Sequence, residues 1–405
     1  MTSLRRGVLI GLALCAVTPA ARAFTVPGFE LVYSYPADTS LDRPELRTAS
    51  KVWPEIIASA RRRLDFAEFY VAVSTKPGEP IDPVIDAIRQ AGARGVKIRF
   101  LVQDSKASSP EGLARLRAIP NLELRVIDYA KVHPLIPGGI LHAKYILADG
   151  ETAYVGSQNF DWRSLKHIHE LGLLTTDKSI VAGAQAIFEQ DWKAQALIAK
   201  GKSVPVLAKQ PRPAETARRA YLVASPWAYD PPGVGDSQSE LARIIGTAQK
   251  EIVVQLLDYS PLTYAKPKRF YPPIDNALRD AAVRGVKVKL MVSHWSTDKP
   301  AIDHLKSLSL LPGIEIRVIT IPEAKEGPVP FARTIHSKYM VVDGKILWLG
   351  TSNWSGGYLD DSRNLEIVVK DADLAKEAAS IHAQLWSSLY SKPLDISLDY
   401  PKPRR

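Results

Sequence analysis

LHAKYILADG at residues 141–150 and IHSKYMVVDG at residues 335–344 are two copies of one pattern. In each copy a His is followed by a Lys two positions later and by an Asp five positions after the Lys. Each copy then continues, at the same distance, to a Gly-Ser/Thr-x-Asn segment, at residues 156–159 and 350–353. The matching histidines, His142 and His336, are 194 positions apart. Such a shared spacing indicates one structural unit written twice.

The rest of the chain repeats around these copies. Each half predicts strands, an early helix, and a second helix that ends at Arg-Gly-Val-Lys and runs into an apolar strand. The paired segments are strands at 31–34 and 222–225, helices at 52–63 and 241–250, and strands at 66–73 and 252–257, 122–127 and 314–319, 170–175 and 364–369. Alternating strands and helices predict an α/β fold of two α/β/α sandwich domains, each a mixed sheet flanked by helices. The repeat predicts that the domains are related by pseudo-two-fold symmetry.

The domain boundaries follow from changes in composition. We predict a signal peptide at 1–23, an N-terminal domain at 24–199 and a linker at 200–219, where Pro, Lys and Ala are frequent and no hydrophobic period is seen. A C-terminal domain at 220–396 and a basic tail at 397–405 complete the chain.

The first residues are typical of an export signal. Arg5 and Arg6 precede a short apolar run, and small residues follow at Ala21 and Ala23. We therefore expect an exported protein, periplasmic or secreted. Cys15 is the single cysteine and lies within this signal, so disulfides and cysteine metal sites are excluded from the mature chain.

The charge favours an anionic partner. The formal charge is +10, of which Arg5, Arg6 and Arg22 of the signal contribute three, leaving +7. A basic surface attracts nucleic acid, anionic lipid head groups or other phosphates, although charge also serves solubility alone. We expect a phosphodiester substrate, transient contact with a membrane surface as one option, no obligate protein partner, and a monomer.

The motif residues form a chemical set suited to phosphodiesters. A His and a Lys two apart on an extended strand share one face, and the Asp-Gly turn brings the following Asn back beside them. Two such patches facing each other would contribute two imidazoles, two ammonium groups and two amides: His142, Lys144 and Asn159 from one half, and His336, Lys338 and Asn353 from the other.

These groups predict a covalent mechanism. One neutral imidazole attacks phosphorus while the other donates a proton to the leaving oxygen. The lysines and asparagines stabilise the phosphoryl oxygens, so no metal and no cofactor is expected. The product of the first step is a phosphohistidine, which water then hydrolyses.

The acidic residues are assigned by position. Asp149 and Asp343 precede Gly in a turn, which favours a structural role, as for Ser157 and Thr351 of the Gly-Ser/Thr-x-Asn segments. Glu170 and Glu366 lie on apolar strands and are candidates to hold an imidazole in one tautomer, the alternative being a solvated strand charge.

The other histidines have no partner in the repeat. His167 and His169 are spaced like a pair of metal ligands, but no recurring acid accompanies them, so we interpret them as surface residues.

The paired motifs resemble those of the phospholipase D superfamily over nearly the whole mature chain. Residues 155–165, 269–275 and 350–356 are similar to the branch of animal lysosomal phospholipase-D-like exonucleases and the poxvirus envelope phospholipase-like protein. This resemblance implies an active site within one chain, with His142 as nucleophile and His336 as general acid and then base. It also implies action on single-stranded nucleic acid ends or on lipid phosphodiesters.

Three functions remain open. A nuclease would use stacking aromatics, for which Phe160, Trp162, Trp295 and Trp354 are candidates, with core packing as the alternative. A phospholipase D proper would release head groups to give phosphatidic acid, and residues 264–273 could contact a membrane. A non-catalytic phosphate-binding protein is opposed by the two intact half-sites.

Overall fold

A computed structural model describes residues 23–132, 138–207, 218–264 and 266–404. The predicted signal peptide therefore lies outside the described residues except for Ala23, as does much of the predicted linker. Within the part described, no helix has the length and apolar character needed to cross a bilayer.

The first half contains strands β1 to β11 and helices α1 to α4. The strands are β1 (Thr25–Val26), β2 (Phe29–Ser34), β3 (Arg47–Thr48), β4 (Arg63–Glu68), β5 (Val71–Ala72), β6 (Lys97–Gln103), β7 (Leu122–Ile127), β8 (Tyr145–Ala148), β9 (Thr152–Gly156), β10 (Phe160–Asp161) and β11 (Glu170–Thr175). The helices are α1 (Ala49–Ser59), α2 (Ile81–Ala93), α3 (Pro110–Arg117) and α4 (Lys178–Ile198), with a 3-10 turn at Tyr129–Lys131.

The second half contains strands β12 to β22 and helices α5 to α8. The strands are β12 (Ala220–Ser225), β13 (Gly235–Asp236), β14 (Glu251–Leu256), β15 (Tyr259–Ser260), β16 (Lys287–Ser293), β17 (Ile314–Ile319), β18 (Tyr339–Val342), β19 (Ile346–Gly350), β20 (Trp354–Ser355), β21 (Asn364–Val369) and β22 (Ser391–Pro393). The helices are α5 (Ser237–Thr247), α6 (Pro272–Val283), α7 (Ala301–Ser309) and α8 (Ala372–Trp386), with 3-10 turns at Trp227–Tyr229 and His294–Thr297.

The two large sheets share one strand order. In the first half β2, β11, β9, β8, β4, β6 and β7 are neighbours in that order, and β12, β21, β19, β18, β14, β16 and β17 repeat it. Pairing is parallel between β4, β6 and β7 and antiparallel between β8, β9 and β11. The mixed sheets flanked by helices confirm the predicted fold class.

The layers pack around a core that both halves share. Side chains alternate across each strand, so Val32 of β2 faces α1 and α2 while Leu31 and Tyr33 face the other way. Apolar residues of both sheets meet α4 and α8 in one central cluster, and each half has a separate outer core under α1–α3 or α5–α7. The halves are therefore joined by burial rather than by the linker alone.

The turn after each His-x-Lys strand is anchored by its aspartate. Asp149 has a φ of +55°, and its carboxylate accepts bonds of 2.8 Å from the backbone N–H groups of Arg61, Arg62 and Arg63. Asp343 does the same for residues 249–251. Burial opposes ionisation, but the backbone donors outweigh it and lower the pKa of both carboxyls. The aspartates thus tie the motif hairpin to the loop before β4 or β14.

We expect Asp149→Asn and Asp343→Asn each to lower the free energy of unfolding by about 2 kcal/mol, since charge-assisted hydrogen bonds are lost. Urea denaturation measures this, with Asp86→Asn on the exposed surface of α2 as the control. Because the folded pKa is depressed, the loss is full at neutral pH and vanishes as the pH falls through that pKa. A variant of unchanged stability would contradict the anchoring role.

Candidate active site

The two halves meet through two short backbone bridges. Leu141 pairs with Arg363, and His169 pairs with Ile335. The backbone N–H of His142 donates to the Arg363 carbonyl at 2.9 Å, and that of His336 donates to the His169 carbonyl at 2.9 Å. Each motif histidine is thus attached by its main chain to the opposite half.

A buried ion cluster supports the first bridge. The Arg363 guanidinium is fully buried and donates to Asp191 of α4 at 2.9 Å and to Asp230 at 2.6 Å. It also donates to the carbonyls of Ser225 and Tyr229. Burying a charge is costly unless it is paired and hydrogen-bonded, and here the guanidinium has both kinds of partner.

The motif residues converge on one cavity of about 710 Å³. His142 and Asn159 from the first half, and His336 and Asn353 from the second, all line it. The side-chain oxygens of both asparagines are buried and have no hydrogen-bond partner among the described residues. The structure therefore brings four of the predicted site residues to one space.

The two motif lysines are buried next to the histidines. The Lys338 ammonium donates to the His336 carbonyl at 2.5 Å, and the Lys144 ammonium likewise donates to the His142 carbonyl. Burial lowers the pKa of Lys144 to about 7 and that of Lys338 well below its ordinary value. Each ammonium has three N–H donors, so donors beyond this carbonyl bond remain for an anion.

Glu68 is a further buried carboxyl group, and burial affects its pKa as it affects that of the lysines. Burial raises its pKa well above the ordinary value, and Lys144 acts in the opposite direction. Its position at the end of β4 was not singled out from sequence.

The His142 ring is oriented by Asn364, at the start of β21. The Asn364 side-chain oxygen lies 3.0 Å from Nδ1 of His142 and accepts a bond of 2.8 Å from the Thr351 hydroxyl. The Asn364 amide nitrogen donates to the Tyr358 carbonyl at 2.8 Å, which fixes the direction of the amide. Nδ1 must therefore carry the proton, which leaves the lone pair of a neutral ring on Nε2. Burial, with Lys144 and Lys338, lowers the pKa of His142 and favours that neutral form.

Two aromatic rings hold the same imidazole in place. Phe69 and Tyr358 have ring centroids 5.2 and 4.8 Å from that of His142. Both also line the cavity, so the ring is clamped where it meets the substrate space.

The His336 ring faces a carboxylate instead. Oε2 of Glu170 lies 3.2 Å from Nδ1 of His336, and burial raises the pKa of Glu170 to about 7 against the effect of Lys338. Burial lowers the pKa of His336, as do Lys338 and Lys144. When the Glu170 carboxyl is protonated and donates to Nδ1, Nε2 of the neutral His336 ring carries the N–H that a general acid needs.

Glu366 does not contact either imidazole. It accepts hydrogen bonds from Ser237 and from Ser352, the latter at 2.5 Å. The interval of 194 that relates His142 to His336 relates Glu170 to Asn364 and not to Glu366. The prediction that Glu366 orients a histidine is therefore wrong. The residue equivalent to Glu170 is Asn364, two positions before Glu366, and the 194-residue interval of the repeat identifies it.

Ser157 connects its motif segment to β11, and Thr351 connects its segment to β21. The backbone N–H of Leu171 donates to the Ser157 hydroxyl at 3.2 Å, and that of Leu365 donates to the Thr351 hydroxyl at 3.1 Å. Gly156 permits this close packing, because a Cβ there would lie 2.9 Å from the Gly172 Cα.

The cavity wall carries residues that the sequence did not single out. Arg163 is held by Asp161 at 2.9 Å, and Asp161 also accepts from the Tyr70 hydroxyl at 2.8 Å. Phe331 projects at the rim with 59% of its surface exposed, and Asp258 is also in the wall.

The predicted stacking aromatics lie in three different settings. Trp295 lines the cavity. Phe160 and Trp354 are buried in the outer cores of their halves, so the stacking hypothesis is wrong for them and core packing is right. Trp162 is half-buried and packs on the His167 ring at 5.4 Å.

The surface interpretation of His167 and His169 is also wrong, since both are buried. Nδ1 of His169 lies 2.9 Å from the Gln255 amide nitrogen, and Nε2 of His167 lies 2.9 Å from Glu326. No group of three His, Cys, Asp or Glu side chains is arranged to hold a metal ion within the ranges that the structure describes.

Several known proteins are similar to this chain in sequence or in fold. The family described as "Cardiolipin synthase, PLD-like domain" matches residues 54–192 and 241–386. A probable phospholipase D of Caenorhabditis elegans is 32% identical, covering 85% of this chain and 67% of that protein. The human 5'-3' exonuclease PLD3 is 31% identical, covering 91% of this chain and 81% of that protein. The phosphatidylserine synthase of Haemophilus influenzae has the same fold, with a TM-score of 0.58 and 12% identity over 85% of each chain. The chain belongs to the phospholipase D superfamily, in the branch that includes the animal PLD3 exonucleases.

Proposed function

We propose that this protein hydrolyses phosphodiester bonds at single-stranded nucleic acid ends through a phosphohistidine intermediate, without a metal. The observation that carries the proposal is the unequal support of two imidazoles in one cavity: Asn364 behind His142 and Glu170 behind His336.

In the first step Nε2 of His142 attacks phosphorus. An N–P bond forms as the bond from phosphorus to the leaving oxygen breaks, and that oxygen takes the Nε2 proton of His336. Lys144 and Lys338 stabilise the negative charge on the phosphoryl oxygens, and Asn159 and Asn353 hydrogen-bond to them.

In the second step water attacks the phosphorus atom of the phosphohistidine. His336 accepts the proton that water loses, the N–P bond breaks, and its electron pair returns to Nε2 of His142. The amide of Asn364 holds Nδ1–H of His142 throughout, while Glu170 accommodates the change of proton count on His336.

Nucleic acid is favoured by the cavity wall. Arg163 supplies a fixed cation, and Trp295 and Phe331 supply aromatic surface for bases. The relatives named 5'-3' exonuclease PLD3 support the same substrate class. A signal peptide and export, as predicted from residues 1–23, remain part of the proposal.

Head-group release from phospholipids is the second candidate. It is supported by the relatives named phospholipase D and by Phe270 of the predicted membrane segment, which is 50% exposed. The non-catalytic alternative has no observation in its favour.

Protein from Phe24 onward, in EDTA, is expected to shorten a single-stranded oligonucleotide stepwise from one end. Because it removes the nucleophile, His142→Ala should lower the rate by roughly 10³-fold or more. His304→Ala, which lies outside the cavity, is the matched control. Choline release from phosphatidylcholine vesicles with the oligonucleotide untouched would assign the lipid reaction instead, and no hydrolysis of either would favour the binding protein.

The two roles predict opposite pH effects. Asn364→Asp places a carboxylate beside His142 and raises the pKa of the nucleophile, so the acid limb of the kcat/KM profile should move up by about 1 unit. Glu170→Gln removes the carboxylate beside His336 and lowers the pKa of the acid, so the alkaline limb should move down. If Asn364→Asp moves the alkaline limb instead, the roles of the histidines are reversed.

A further inference from the structure

A second chamber of about 350 Å³ borders the catalytic cavity. The two spaces share three wall residues, Phe69, Lys106 and Tyr358. Since Phe69 and Tyr358 are the rings that clamp His142, the second chamber lies next to the two side chains that hold this histidine.

Tyr264 contributes an aromatic ring to the wall of this chamber. A Cβ on Gly138 would lie 2.6 Å from Cδ1 of the Tyr264 ring, and a Cβ on Gly357 would lie 2.5 Å from the Tyr264 Cβ. Both glycines have positive φ, so the backbone of both halves closes on this side chain. Tyr264 is nevertheless 62% exposed, which is unusual for a large ring packed on two main-chain segments.

The polar residues of the chamber are placed around this ring. Lys106 is exposed at the junction of the two spaces, and Asp104 is exposed in the chamber wall. The nearby Gln103 side chain is already used, because its oxygen accepts from the Leu141 backbone N–H at 2.7 Å.

We propose that the second chamber binds one nucleobase next to the scissile phosphate, stacked on Tyr264, with Lys106 at the adjoining phosphate. An exposed aromatic ring suits the flat face of any base, and an ammonium where the two spaces share a wall suits the charged backbone between bases. The Asp104 carboxylate suits the amino groups on base edges. This inference rests on the proposed nuclease function and identifies how the substrate is held.

A lipid acyl chain fits the chamber less well. It would desolvate the Asp104 carboxylate and the Lys106 ammonium without providing hydrogen-bond partners, which is costly.

The test uses the protein from Phe24 onward and a single-stranded oligonucleotide with an abasic residue at the terminal or the penultimate position. We expect the abasic residue to lower kcat/KM of the unsubstituted protein about 10-fold at one of these positions, the size of a lost base stack. In Tyr264→Ala this penalty should disappear. Tyr264→Phe should keep it, and Phe270→Ala, an exposed aromatic outside both spaces, is the matched control.

An equal abasic penalty in Tyr264→Ala and the unsubstituted protein would overturn the inference. A Tyr264→Ala variant that loses activity on phosphatidylcholine vesicles but not on the oligonucleotide would also overturn it. Methyl p-nitrophenyl phosphate, too small to occupy both spaces, reports the catalytic centre separately. If the unsubstituted protein does not hydrolyse it and leaves the oligonucleotide intact, the proposed function itself fails. If both are hydrolysed and Tyr264→Ala does not change their ratio, only the base chamber is wrong.

Discussion

The backbone contact between Leu141 and Arg363 is the constraint on which the active site depends. His142 and His336 belong to different halves, so their separation is set only by how the halves meet. The buried guanidinium of Arg363 holds this contact through Asp191 and Asp230, and removing one partner of such a buried pair typically costs about 3–5 kcal/mol. The apolar core that α4 and α8 share also holds the two halves in this arrangement.

The two halves of the site are equivalent by symmetry, but the proposed reaction needs a different group from each half. A pseudo-two-fold arrangement places equivalent groups face to face, whereas covalent phosphoryl transfer needs one nucleophile and one acid. The equivalent positions behind the two imidazoles, Glu170 and Asn364, carry different side chains. A carboxylate can share a proton with its histidine, while an amide oxygen can only accept one N–H bond and leave Nε2 free. In the proposed mechanism, this electrostatic difference between the halves gives His142 and His336 the separate roles that the repeat leaves open.

Much of the fold was readable from sequence because its signals are local. The apolar runs at β7 and β17 begin and end where the pattern predicts, and the turn at Asp149 follows from Asp-Gly. The errors concern contacts between distant residues. His169 is buried because it pairs with Ile335, and Asn364 holds a histidine 222 positions earlier in the chain. Neither hydrophobic period nor residue type carries such information, although the repeat interval would have identified Asn364.

The most direct test of the central claim is to trap the covalent intermediate on a diester with a p-nitrophenyl leaving group, which departs without a general acid. In His336→Asn we expect a burst of one p-nitrophenol per chain and, by mass spectrometry, one phosphoryl adduct on His142. His142→Asn should give no burst and no adduct. An adduct on His336, or two adducts on each unsubstituted chain, would contradict a single site built from two unequal halves.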